Sequence, residues 1–182
     1  MLGPMEQFAV LIPTYEHLSA TVDDDALGRS TPCAGWRVRD LLEHVNGGAR
    51  MFTAAFDGGP VRDRELGDDP FGVVGEALHS FDRAIRAPGA LDQTVESPFG
   101  AMPGDAFARL AALDLLMHLW DIAQATDQPL DVPDAVVASV DGFARQALTD
   151  DLRRPGLFGA EVAAPPTSSP LDALAAFTGR QP

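Results

Sequence analysis

Asp114 and His118 stand four residues apart in the run DLLMHLWDIA, residues 114–123. On a helix, positions i and i+4 share a face about one turn apart, so this carboxylate and this imidazole can reach one point. A third candidate, His44, lies in the segment RDLLEHV, at the edge of a separate helical stripe. Two imidazoles and a carboxylate form a donor set for a divalent metal with coordination positions left open, which suits catalysis better than a closed structural site. Zinc fits these donors first, and nickel and iron are also compatible. A second reading needs no metal: a core histidine hydrogen-bonded to the aspartate one turn earlier.

The surroundings sharpen the question. Leu110, Ala111, Leu113, Leu115, Leu116, Met117, Leu119, Trp120 and Ile122 make this helix apolar almost all round, so it is expected to be buried. An unpaired carboxylate there is costly, and all 13 basic residues of the chain are arginine, with no lysine to help. Either an arginine or a cation must compensate Asp114. Asp121, three residues past His118, lies close to the same face and could orient that histidine or cap a neighbouring loop. Trp120 reads as core packing, and Cys33 as a turn residue with a small packing role. Arg50 and Arg83 could bind an acidic substrate, but nothing in the spacing aims them at the site. His17 and His79 read as surface histidines.

Helical periodicity supplies the elements that must position these groups. A first helix from Glu6 carries Phe8, Leu11, Ile12, Tyr15 and Leu18 inward, with Pro13 either kinking it or marking its true first turn. After the turn TPCAGW, residues 31–36, a second helix begins with Arg37 as its cap, Asp40 facing the free amides and Trp36 stapling onto Leu41. Gly47 and Gly48, one turn past His44, leave room for a ligand or for a close helix contact. A mobile loop over residues 57–70, a third helix over residues 71–87 and a small hairpin over residues 87–104 follow, with extended pieces at 93–96 and 99–102. The helix of Asp114 and His118 spans residues 105–126. A fifth helix starts near Pro133, and a proline-rich strap over residues 154–170 leads to a short docking helix over residues 171–178. Four main helices with no convincing sheet predict an all-α bundle, and the long connections require at least one crossover.

Composition narrows the function classes. At 182 residues the chain suits a single domain, residues 1–182, able to bury a core without disulfides or a structural metal. A net charge of -14 disfavours nucleic acid and anionic membranes as partners. One cysteine excludes an internal disulfide, and the absence of a long apolar run or signal pattern points to a cytoplasmic protein. Exposed apolar positions on the first or fifth helix would be the place for a homodimer contact.

TPCAGW, RDLLEHV, DLLMHLWDIAQAT and LAAFTGRQP together resemble the DinB-like bundle superfamily, specifically the mycothiol-dependent maleylpyruvate isomerase N-terminal domain group. The resemblance runs over nearly the whole chain. It implies an up-down-down-up four-helix bundle with extra C-terminal helices. It also implies a divalent metal held by a second-helix histidine and a carboxylate-xxx-histidine, positions that match His44, Asp114 and His118. For activity it implies metal activation of a low-molecular-weight thiol, mycothiol, toward an electrophile, so that the partners are a small thiol and a small electrophile. The isomerase branch carries a further domain, so a thiol S-transferase or another isomerase is expected here rather than maleylpyruvate isomerisation itself. The alternative is a non-catalytic metal- or ligand-binding bundle with a stress-related role. Relatives read ATGQ where this chain has ATDQ, and a left-handed conformation at Asp127 would then cost ~1 kcal/mol.

Overall fold

The computed structural model describes residues 1–98, 100–149, 153 and 158–182. Its helices are α1 (Pro4–Ser19), α2 (Val38–Asp57), α3 (Pro70–Ile85), α4 (Gly104–Thr126), α5 (Asp134–Ala147) and α6 (Pro170–Phe177). A two-stranded antiparallel hairpin, β1 (Thr94–Val95) and β2 (Met102–Pro103), precedes α4, with Thr94 opposite Pro103 and Val95 opposite Met102. The fold is therefore all-α apart from this hairpin, as the periodicity predicts. Phe99, expected in the second extended piece, and residues 154–157 of the strap lie outside the described residues.

The helix starts follow local chemistry. Asp69 caps α3 by accepting a hydrogen bond from the Gly72 amide at 2.9 Å, with Pro70 at the first helical position. Ser169 caps α6 in the same way through the Asp172 amide. Arg37 precedes α2 in extended conformation, and its amide donates to Asp40 Oδ2 at 2.8 Å, the half-box that the sequence predicts. Pro13 falls inside α1 rather than at its start, because Pro4 already opens that helix. Pro133 serves as the extended residue before α5 and not as its first turn.

Packing sets the order of the helices. α4 packs on α1 and α2, and α3 packs on α1 and α2, so the two consecutive pairs α1–α2 and α3–α4 are each joined across the bundle. That meets the requirement for crossovers. α5 packs on α4, and α6 on α5. α4 is the central element: Leu113, Leu116, Met117 and Leu119 have no exposed surface, and Phe107 is equally enclosed between Phe52 and Phe56. Burying so many large side chains at ~25 cal/mol per Å² makes α4 the anchor of the fold and fixes what it carries.

Candidate metal centre

His44 on α2 and Asp114 and His118 on α4 meet at the floor of one pocket. Their donor atoms all lie within 4.8 Å of one another. His44 Nε2 and His118 Nε2 each stand 3.4 Å from Asp114 Oδ1. Exposure grades across the three: the His44 side chain is 40% exposed, Asp114 25% and His118 7%. The trio thus opens toward solvent on the α2 side. Trp36, expected as a staple on Leu41, lays its indole against the imidazoles, 5.0 Å from the His44 ring and stacked 6.1 Å from that of His118.

Behind His118 lies a second layer of contacts. Its Nδ1 is 3.0 Å from Asp121 Oδ2, which leaves Nε2 as the atom facing Asp114 and His44. Asp121 is wholly buried, and Arg180 forks onto it, donating from Nε to Oδ1 at 2.8 Å and from Nη2 to Oδ2 at 2.7 Å. The Cys33 thiol also donates to Asp121 Oδ2, at 3.2 Å. Arg180 is itself braced through Nη1 on Thr178 Oγ1 at 3.1 Å. Gly179, at φ 95, makes the turn between them, and Gly159 of the strap crosses so closely that a Cβ on Gly179 would stand 2.5 Å from Gly159 Cα. Only glycine fits this corner of the TGR segment.

Proton affinities follow the geometry. Burial alone would raise the Asp114 carboxyl, but His118 and then His44 outweigh it and hold the group well below the usual carboxylate range. Burial would likewise lower His118, yet Asp114, Asp121 and Cys33 together raise it well above the ordinary imidazole value. For Asp121, burial is outweighed by hydrogen bonds from His118 and Arg180, and its carboxyl is held low.

A pocket of about 530 Å³ opens over the trio. Met51, Phe52, Leu110 and Phe158 give it an apolar wall, while Arg153 and Arg180 bring positive charge to its edge. Gly48 lines it too, and a side chain there would approach Asp114 Oδ2 to 3.9 Å, so the expected room for a ligand is present at this glycine.

Several sequence expectations resolve here. Asp121 sits where it can orient His118. Trp120 is core, and its Nε1 donates to Asp172 Oδ1 at 2.9 Å, tying α4 to α6. Cys33 does more than pack, since its thiol completes the shell around Asp121. Arg50 and Arg83 are not at this pocket, and the arginines that are, Arg153 and Arg180, come from segments with no helical register to α4. His17 is exposed, and His79 is a surface residue 2.8 Å from Glu16. The one signal for Arg180 in the sequence is the need of a buried aspartate for an arginine in a chain without lysine. Spacing points that need at Asp114, whereas the guanidinium serves Asp121.

Residues 14–123 match the model of the mycothiol maleylpyruvate isomerase N-terminal domain family. The chain belongs to this family. An uncharacterized protein of Mycobacterium tuberculosis, present in strains CDC 1551 / Oshkosh and ATCC 25618 / H37Rv, is 36% identical over 172 residues, 91% of each chain. Among solved structures, the mycothiol-dependent maleylpyruvate isomerase superposes with a TM-score of 0.59 at 15% identity. A histidine-to-alanine mutant of it superposes with a TM-score of 0.62 at 13% identity. Both matches cover 76% of this chain and 66% of the isomerase chain, and at such identities they show a shared fold. The span matched to the mycothiol maleylpyruvate isomerase N-terminal domain contains Cys33, His44, Asp114, His118 and Asp121. Arg153, Thr178 and Arg180 lie beyond it, so the counter-charge of Asp121 comes from outside the matched domain.

Proposed function

We propose that His44, Asp114 and His118 hold a divalent metal, zinc in the first instance, and that the protein is a metal-dependent S-transferase or isomerase acting with a low-molecular-weight thiol of the mycothiol type. The observation that carries this reading is a pair of distances. Ligand atoms around a tetrahedral ion at about 2.0–2.1 Å stand roughly 3.3–3.4 Å from one another. Asp114 Oδ1 is 3.4 Å from each imidazole nitrogen, which is longer than a charge-assisted hydrogen bond of about 2.7–2.9 Å. The tautomer fits as well, because His118 Nδ1 is engaged by Asp121 and Nε2 is left as the donor. A bound divalent ion supplies one thing here, stabilisation of the thiolate form of a thiol docked against it.

The chain's own residues account for the rest. With His44, Asp114 and His118 as donors, the pocket side of the trio would be left for the thiol. Trp36 lies against the imidazoles, and Met51, Phe52 and Leu110 present an apolar wall to a thiol bound in the pocket. Arg180, through Asp121, holds His118 in place. The family match supports a thiol cosubstrate, and the pocket volume admits a thiol beside an electrophile. The test is metal content of protein prepared without chelator or affinity tag, together with mycothiol-dependent turnover of a panel of electrophiles. About one ion per chain is expected, lost in His44→Ala, with thiol-dependent turnover lost in His118→Ala. Full metal content in His44→Ala would refute the ligand set, and metal without any thiol-dependent rate would leave a binding protein.

A further inference from the structure

Carboxylates outnumber guanidiniums by 27 to 13 in this chain, so every arginine has ample opportunity to form an ion pair. Arg29, Arg64, Arg86, Arg109 and Arg145 all do so. Arg37, Arg50, Arg62 and Arg83 show no ion pair among the described residues, and the last three of these line one cavity of about 480 Å³ between α2 and α3. In a protein of net charge -14, unneutralised positive charge gathered in one concave place runs against the average field.

The cavity is built from two matched helical stripes. Arg50, Thr53, Ala54 and Asp57 follow i, i+3, i+4, i+7 spacing along α2, and Ser80, Arg83, Ala84 and Ala87 repeat it along and just past α3. The loop after α2 closes the end with Pro60 and Arg62. Arg50 is about 200° round the helix from Gly48, so this cavity and the His44 pocket use opposite faces of α2 and share no lining residue.

Two of its cations are held by hydrogen bonds, while Arg62 contributes its carbonyl to Arg50 and is itself exposed. Arg50 donates from Nε to Asn46 Oδ1 at 2.8 Å and from Nη1 to the Arg62 carbonyl at 3.4 Å. Buried Asn46 in turn donates to the Arg64 carbonyl at 2.6 Å, strapping the loop to α2. Arg83 donates from Nη2 to Ser80 Oγ at 2.9 Å. A guanidinium has about five N–H donors, so these bonds leave several on each arginine for a ligand. Asp57 is the one carboxylate among the lining residues, against three guanidiniums.

We infer that this cavity is an anion site for a phosphorylated small molecule, separate from the proposed thiol chemistry. A phosphomonoester carries a charge of about -1.5 to -2 on three oxygens near neutral pH, which guanidinium forks match in shape and charge. Ala54, Pro60 and Ala84 provide an apolar wall for its organic part.

Calorimetric titration of EDTA-treated protein at physiological ionic strength tests this, with phenyl phosphate, inorganic pyrophosphate and citrate as probes. Both phosphate probes are expected to bind saturably at one site per chain. The double variant Arg62→Gln/Arg83→Gln removes side chains that form no ion pair, so its thermal unfolding should match the wild type. Its affinity should fall about 100-fold, tenfold for each guanidinium removed. Asp57→Asn should tighten binding, and His44→Ala should leave it unchanged. Equal affinity in the double variant and the wild type, or no saturable binding of either phosphate probe, would overturn the site. Citrate binding as tightly as pyrophosphate would overturn its assignment to phosphate.

Discussion

Arg180→Met isolates the electrostatic clamp behind the candidate metal centre. The substitution keeps an unbranched side chain of similar reach while deleting a guanidinium whose side chain is 10% exposed and whose partner, Asp121, is 0% exposed. Breaking a buried pair by removing one member costs about 3–5 kcal/mol, because the remaining charge stays desolvated. Asp121 keeps His118 Nδ1 at 3.0 Å and the Cys33 thiol at 3.2 Å, so the lower end applies, about 3 kcal/mol. For a domain of this size that corresponds to a drop in Tm of about 6–12 °C. Urea denaturation of EDTA-treated protein measures it free of any metal contribution. Arg180→Lys restores charge without the fork and should recover only part of the loss. Asp121→Asn combined with Arg180→Met should cost much less than the sum of the single changes. Acid adds a second check. The Asp121 carboxyl is held low, so its contribution is present above the ordinary carboxylate pKa and is lost as pH falls through the folded value; Arg180→Met should weaken that acid-sensitive part. A loss below about 1 kcal/mol, or strict additivity in the double variant, would refute the clamp.

Three further outcomes follow from the same geometry. His118 is raised above its ordinary value, so its contribution is complete below the unfolded imidazole pKa of about 6.5 and is lost as pH rises through the folded one. Metal-free protein should therefore lose stability as pH rises above the unfolded imidazole value, while the Tm gain from added zinc should grow, since ligation needs the deprotonated ring; thermal scans at rising pH with and without zinc decide it. Asp127 is the one non-glycine residue at positive φ among the described residues, at 55°, and its ion pair with Arg29 is exposed, so Asp127→Gly should raise the urea-derived stability by about 0.5–1 kcal/mol. Gly179→Ala should cost at least ~2 kcal/mol and reduce zinc retention, because the added carbon collides with Gly159 and displaces Arg180.

How much of this was legible in the sequence depended on the range of each interaction. The α4 pair was readable because i, i+4 spacing is a local rule, and α2 was readable from its apolar stripe and from the Asp40 contact to the Arg37 amide. The all-α class and the need for crossovers came from periodicity and connection length. The environment of Asp121 was not readable, since Cys33, Arg180 and the strap residue Gly159 converge through tertiary packing that no local pattern encodes. Trp36 shows the same limit: its place before a helix suggests packing on the core, which it does, while its contact with the imidazoles depends on how α2 and α4 come together. Placement of Arg50 and Arg83 in a shared cavity likewise needed the pairing of α2 with α3.

The wiring of Asp121 bears on the order in which the molecule acquires its site. Its partners are drawn from 88 residues earlier in the chain, at Cys33, and 59 residues later, at Arg180. Bringing together partners of such long sequence separation costs loop-closure entropy that local helical contacts largely escape. An α4 packed without the segment around Arg180 would keep the Asp121 carboxylate desolvated with only His118 and Cys33 as partners. Docking of the Arg180 segment is thus what completes the setting of His118, and a metal met before it docks would find a looser set of donors than the completed site offers.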